Sequence, residues 1–324
     1  MQSRGFDARV STSIMTDTKA HLTVIDTDPG IDDAIGILLA LASPDLTVYG
    51  MTIVAGNIGI ETTARNAGRL LAFAGRSDIP VLIGARQPLS RPGPEPLGLH
   101  GVDGVGGVEL PEPRRAPDEQ PATEWLADLL LAQPAGTVEI LALGPLTNIA
   151  ELIINRPDAA RRIGRIAAMG GAIHEPGNVG PRAEFNIATD PEAADVVFRS
   201  GVPVVLIPLD VTRRVRATRE FAAGLAASGA PVARKVAELI GAYFLSTTER
   251  ESRPLHDPCV MLHALRADLF GCEILRLTVG TGTDEEAGAL SIDHTEGAPV
   301  CVALTVDAPA VLGLLQDVLT ADHH

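Results

Sequence analysis

The sequence predicts an α/β protein built on an open, mostly parallel sheet flanked by helices. From Leu22 onward, short β-branched runs alternate with runs of helical periodicity. Apolar residues make up 46% of the chain and aromatics only 3%, so the core must come from Ala, Val, Leu and Ile, which suits strands buried on both faces. Several polar residues also fall at the carboxyl ends of successive strand-like runs, the edge where open α/β sheets bind ligands.

LTVID (22–26) reads as the first strand and AIGILLALA (34–42) as a buried helix after it. LTVYGMTIVAG (46–56) supplies one or two strands, and ETTARNAGRLLAFAG (61–75) has helical spacing with Gly75 as its C-cap. VLIG (81–84), TVEILAL (137–143), RIAAMGG (165–171) and VPVVLIPLD (202–210) continue the strands, with helices at LTNIAELII and DPEAADVVFRSG between the later ones. A mostly helical section runs from Thr218 to Leu265, and strands with a closing helix follow from Ile274. Between Gly84 and Pro121, RQPLSRPGPEPLGLHGVDGVGG lacks periodicity and is long enough for a functional loop or lid.

Residues 1–20 read as a disordered lead without a secretory h-region, with Met15 as a possible start, and 21–320 as one domain. No run is long and apolar enough to span a bilayer, and His323 and His324 read as a frayed tail. A formal net charge of −15 argues against nucleic acid or an anionic membrane as partner and favours a small neutral substrate or a cation. Cys259, Cys272 and Cys301 form no close pair in sequence, so they are expected to be reduced core thiols of a cytoplasmic protein.

The stretch VIDTDPGIDDA (24–34) places Asp26, Asp28, Asp32 and Asp33 where the first strand turns into a helix. Carboxylates this close repel one another unless a cation, donors or a shared proton answers them. Capping is the ordinary reading of one Asp-Pro, and Asp190-Pro191 and Asp257-Pro258 repeat that form. Four aspartates exceed what a cap requires. Oxygen-only donors point to a hard cation, Ca²⁺ or Mg²⁺, with one carboxylate free to deprotonate a water.

A second constellation lies in EPGNVGPRAEFNIATDPE (175–192). Read as extended, it puts Glu184 and Asn186 on one side and Phe185 on the other, with Asn178 just before: polar groups for hydroxyls beside an aromatic wall. His256 precedes Asp257, which is expected at a helix N-cap, and His100 lies in the predicted lid.

Together these pieces resemble the inosine-uridine preferring nucleoside hydrolase family. The resemblance rests on DTDPGIDDA, VAGN (54–57), LALGPLTNIA (141–150), MGGAIHEPGN with AEFNIATDPEAA (169–194), and HDPC (256–259), in family order over almost the whole chain after residue 21. It implies a Rossmann-like nucleoside hydrolase fold, cleavage of an N-ribosidic bond by water to ribose and free base, and Ca²⁺ at the floor of the site. By match to the family motif, Asp28 would be a metal ligand and general base, Asp33 and Asp257 further ligands, and Leu143 a carbonyl ligand. Asp32, Asn57, Asn178, Glu184 and Asn186 would bind ribose hydroxyls; His256 would assist the leaving base, and His100, Phe185 and Tyr243 would line its pocket. The family also implies a homodimer or homotetramer. Two other readings compete: a phosphotransferase of the haloacid dehalogenase type, from Asp26-Thr27-Asp28, and a nucleoside-binding protein without catalysis.

Overall fold

A computed structural model describes residues 21–95, 98–246, 251–282 and 286–321. The lead, with Met15, and the terminal His323 and His324 lie outside the described residues. The first half alternates β1 (His21–Thr27), α1 (Ile31–Ala42), β2 (Leu46–Ile53), α2 (Ile60–Phe73), β3 (Val81–Ile83), α3 (Ala122–Ala132), β4 (Val138–Ala142), α4 (Thr147–Asn155) and α5 (Pro157–Ala160). It continues through β5 (Ile163–Met169), α6 (Phe185–Thr189), α7 (Pro191–Arg199), β6 (Val204–Ile207) and α8 (Leu209–Thr212). A short hairpin-like pair, β7 (Arg216–Thr218) and β8 (Ser252–Pro254), brackets α9 (Arg219–Ala227) and α10 (Pro231–Leu245). The last section holds α11 (Pro258–Leu265), β9 (Phe270–Val279), β10 (Leu290–Ile292), β11 (Ala298–Val306) and α12 (Ala308–Thr320).

Among the described residues nine strands form one sheet in the order β10-β9-β11-β6-β5-β4-β1-β2-β3. The run from β11 to β3 is parallel throughout, and only β9 and β10 are antiparallel to their neighbours. Alternation along β1 sends Ile25 to one face and Val24 to the other. On the first face α1, α2, α10, α11 and α12 cover the sheet, on the second α3, α4, α5 and α7. The chain leaves β1 toward β2 on one side while β4 pairs on the other, so the strand order reverses between β1 and β4. The carboxyl ends of these two strands therefore border a crevice that no crossover fills.

Several sequence expectations change here. LTVYGMTIVAG is one strand, and α2 ends at Phe73 with Ala74 as C-cap. Gly75 is the next residue at φ +69°, with Arg76 N bonding Leu71 O and Gly75 N bonding Ala72 O in a Schellman closure. The helix α3 emerges directly after the Pro/Gly-rich stretch, where no strand-helix alternation announced it. Leu209 and Asp210 continue no strand; they begin the turn α8 because Pro208 ends the ladder and Asp210 accepts from Ile173 N and His174 N. Of the cysteines only Cys259 is buried, whereas Cys301 is half-buried and Cys272 exposed, so the expectation of three core thiols is corrected. Among the described residues, no helix is long and apolar enough to cross a membrane.

Candidate functional site

Three Asp-Pro pairs in this chain have the same local form and different fates. Asp190 caps α7, its side chain accepting from Ala193 N at 3.0 Å. Asp257 stands at the N-cap position of α11 yet makes no side-chain cap bond. Asp28 does not cap α1 at all: that helix starts at Ile31, and the Asp28 carboxylate turns to Asn57, accepting from its backbone N–H at 2.6 Å. Asp33 performs the capping instead, through Gly30 N at 3.0 Å, while its other oxygen accepts from Thr27 Oγ1 at 2.7 Å.

The acids that do not cap are drawn together at the carboxyl ends of β1 and β4. Asp28 is buried, and its Oδ1 has no hydrogen-bond partner. A side chain at Gly56 or Gly144 would collide with that carboxylate, so both positions must lack a Cβ. Asp32 Oδ2 accepts from His256 N at 2.7 Å and Asp257 N at 3.2 Å, pinning the start of α11 to α1, while Asp32 Oδ1 is buried without a partner. Asn57 Nδ2 bridges Asp28 O and Asp33 Oδ2, each at 3.2 Å. Burial, with Asp33 close by, pushes Asp28 well above the carboxylate range; burial and the charges of Asp33, Asp32 and Asp28 do the same to Asp257. Burial lifts Asp32 to about 7 against the pull of the His256 and Asp257 amides.

These observations test the site for a cation. The donors are hard oxygens, Asp28 Oδ1 and Asp32 Oδ1 are buried and unanswered, and the charge of Asp33 raises the proton affinity of both Asp28 and Asp257. Asp257 and Asp33 share a hydrogen bond here, and among the described residues no three such side chains already stand in a metal-binding arrangement. A divalent cation would replace a shared proton in this setting, so the residues fit it. The carbonyl of Leu143, the residue after β4, accepts from Asn186 Nδ2 at 2.7 Å.

Above the acids a cleft is lined by Asp32, Asn57, His100, Leu143, Asn178, Glu184, Phe185, Asn186, Tyr243, His256 and Asp257. Of the four aspartates singled out from the sequence, Asp26, Asp28 and Asp33 do not line it; Asp26 Oδ1 is taken up by Thr52 Oγ1 and Asn148 Nδ2. Met169, which opens the quoted MGGAIHEPGN stretch at a strand end, also lines it, as does Leu99, which was not singled out; an aliphatic residue in a loop has no pattern to mark it. The extended reading of Glu184–Asn186 is corrected: Phe185–Thr189 is the helix α6, with Glu184 as its N-cap. Glu184 accepts from Gly171 N, Asn186 N and Ile187 N, a set of donors that holds the end of β5 against α6. Burial still raises its pKa. Asn178 Oδ1 accepts from Phe185 N at 2.8 Å, which ties the loop to the same helix.

Both histidines have one ring nitrogen committed. Ile31 N donates to His100 Nδ1 at 3.0 Å, so neutral His100 carries its proton on Nε2. The ring lies where a Cβ on Gly30 would come within 2.6 Å, and burial depresses its pKa. His256 Nδ1 is 2.8 Å from Thr212 Oγ1, and burial with the charges of Arg213, Arg253 and Arg216 lowers it to about 3, leaving the ring neutral. Tyr243 is buried with the Arg253 guanidinium 4.1 Å from its ring centre. Thr212 and Arg253 act on the cleft through other side chains, and nothing in their local sequence marks them.

The family model described as inosine-uridine preferring nucleoside hydrolase matches residues 23–313. The chain is 46% identical over 252 residues to the pyrimidine-specific ribonucleoside hydrolase RihA of Citrobacter koseri, covering 76% of this chain and 80% of the relative. Its structure is similar to that of the plant nucleoside hydrolase PpNRh1, with a TM-score of 0.86 and 34% identity over 93% of this chain and 99% of the other. It is also similar to a purine-preferring ribonucleoside hydrolase from Gardnerella vaginalis, with a TM-score of 0.85 and 29% identity over 92% and 98% of the two chains.

Proposed function

Because the chain belongs to the inosine-uridine preferring nucleoside hydrolase family, we propose that it hydrolyses the N-glycosidic bond of ribonucleosides to ribose and free base, with Ca²⁺ held by Asp28, Asp33, Asp257 and the Leu143 carbonyl. The observation that carries this reading is the buried, unpartnered Oδ1 of Asp28 among other raised carboxylates beneath the cleft. Ca²⁺ bound there supplies Lewis acidity toward water and sugar hydroxyls.

Asp28 is the general base: Asn57 N–H fixes one of its oxygens and leaves the other without a donor, able to take a proton from water. Asp32, Asn57, Asn178, Glu184 and Asn186 hold the ribose. Nearby carboxylates favour the positive charge that develops on the sugar as the bond to the base breaks. His100, with Nδ1 occupied by Ile31 N–H, offers an Nε2–H donor to the base, and Phe185 and Tyr243 offer ring faces. His256, oriented by Thr212, helps the base depart.

We infer pyrimidine ribonucleosides as the preferred class. The support is the 46% identity to a relative named pyrimidine-specific against 29% to one named purine-preferring. The reading also places the enzyme in nucleoside salvage or breakdown, in the cytoplasm, as a homodimer or homotetramer. The test is release of base and ribose from uridine, cytidine, inosine, adenosine and guanosine, with and without a Ca²⁺ chelator. Chelator-sensitive hydrolysis of uridine and cytidine ahead of the purines is expected. Binding without turnover would support a nucleoside-binding protein, and phosphate release from phosphate esters with no base release would support a phosphotransferase.

A further inference from the structure

Thr212 ends the short turn α8, and its hydroxyl acts on the cleft through His256. Both sides of that contact are anchored by other bonds. Asp210 accepts from the amides of Ile173 and His174 at 2.9 and 2.8 Å, and Leu209 N bonds Gly171 O at 2.9 Å, which fixes α8. Opposite, Leu255 N bonds Val215 O at 2.8 Å and His256 N donates to Asp32 Oδ2 at 2.7 Å. Thr212 Oγ1 and His256 Nδ1 therefore meet at 2.8 Å between two held segments.

Burial decides which of the two supplies the hydrogen. Thr212 is fully buried, and among the described residues His256 Nδ1 is the one hydrogen-bond partner of its hydroxyl. If the ring supplied the hydrogen, the buried O–H would be left with no acceptor, an arrangement that folded proteins avoid. The hydroxyl therefore donates, Nδ1 is bare, and the ring carries its hydrogen on Nε2. The positive charges of Arg213, Arg253 and Arg216 oppose a second proton there. The ring lines the cleft, and among the described residues Nδ1 is its only nitrogen with a hydrogen-bond partner.

We propose, resting on the hydrolase reading above, that Thr212 is a positioning residue that sets the tautomer of His256, so that Nε2–H meets the departing base as a fixed hydrogen-bond donor. As the N-glycosidic bond breaks, its electron pair goes to the base. Nε2–H bonds to a base atom on which that charge collects, and no proton leaves the ring. His100 reaches the same tautomer by another route, because the backbone N–H of Ile31 can only donate. A hydroxyl can donate or accept, so the His256 setting depends on nothing else around Thr212 competing for its hydrogen.

The test uses the full chain with Ca²⁺ and two substrates, uridine and 4-nitrophenyl β-D-riboside, whose nitrophenolate departs without a donor. Thr212→Val keeps the shape of the side chain and removes the hydroxyl. It should lower kcat on uridine roughly 10²-fold with KM within about twofold, the mark of a bond made only in the transition state, while kcat on the nitrophenyl riboside stays within about twofold. Thr212→Ser should recover most of the uridine rate. Long-range ¹H–¹⁵N spectra of the histidine-labelled wild type should show His256 protonated on Nε2 alone, and those of Thr212→Val should show an Nδ1–H population. Equal losses on both substrates, a wild-type uridine rate in Thr212→Val, or an Nδ1–H ring in the wild type would each overturn the proposal. A wild type that cleaves neither substrate would strike the hydrolase reading instead, with the spectra still deciding the tautomer.

Discussion

The backbone N–H of Asn57 donates to Asp28 Oδ2 at 2.6 Å and leaves Asp28 Oδ1 buried without a partner. One oxygen is anchored and the other is presented. In Asp28→Asn, one of the two positions becomes an NH₂ that neither accepts from Asn57 nor takes a proton from water. Base release is expected to fall by a factor on the order of 10³, while the thermal midpoint stays the same or rises because a repelling charge has gone. Wild-type turnover in that variant would show that Asp28 is not the base.

Gly144 tests the placement of the same carboxylate without touching its charge. A Cβ there collides with Asp28 Oδ1, so Gly144→Ala should displace the acid and lower kcat roughly 10²-fold, the usual penalty for a misplaced reacting group. Gly313→Ala is the comparison, since an added Cβ on α12 meets nothing within 4 Å. It should keep full activity and gain up to about 1 kcal/mol of stability.

Asp190 and Asp257 precede proline alike and should fail differently. Asp190 accepts from Ala193 N, Leu89 N and Thr147 Oγ1, so Asp190→Ala should cost about 2–4 kcal/mol in denaturant unfolding while turnover per folded molecule persists. Asp257→Ala, which removes no cap bond, should abolish turnover at little cost in stability. The opposite pairing would remove Asp257 from the proposed site.

Ca²⁺ should stabilise the fold as well as support turnover. Repulsion among Asp28, Asp33 and Asp257 is relieved only in the folded state, so saturating Ca²⁺ at 100 times its Kd should add about 2.7 kcal/mol. Differential scanning fluorimetry with Ca²⁺ and with chelator reads this as a rise in Tm that Asp257→Ala loses. An unchanged midpoint in the wild type would count against cation binding here.

His263 makes stability depend on pH at a place remote from the acids. Burial lowers its pKa from 6.5 to about 4, so between those values the unfolded chain binds a proton that the folded chain refuses. Its contribution is complete above about pH 6.5 and is lost as pH falls toward 4. Relative to His263→Leu, the wild type should lose about 2–3 kcal/mol across that window in urea titrations. A difference independent of pH would mean that the ring is not held neutral.

Much of the parallel sheet and its strand-end polar residues could be read from the chain because β-branched runs and strand-end turns are local features. α3 could not, since the preceding prolines and glycines broke the alternation that would have announced it. Glu184 misled for a related reason: an Asn and a Glu two apart look alike in a strand and at a helix start, and only the donors at Gly171, Asn186 and Ile187 decide between them. Leu99 lines the cleft, and Thr212 and Arg253 back its His256 and Tyr243, by tertiary placement, which no spacing encodes. The diagonal placement of Cys272 and Cys301 on one face of the sheet depends on a strand register between residues 29 apart in the chain.

The bond from His256 N to Asp32 Oδ2 spans 224 residues. A ribosome adding about 5–20 residues per second delivers the first of these partners on the order of ten seconds or more before the second. Throughout that interval the nascent chain carries an acidic turn whose charges are tolerable only because water still surrounds them. The acids can be dehydrated only after α11 has emerged, so the centre is sealed long after its first acids are made, and a chain released before His256 would have none.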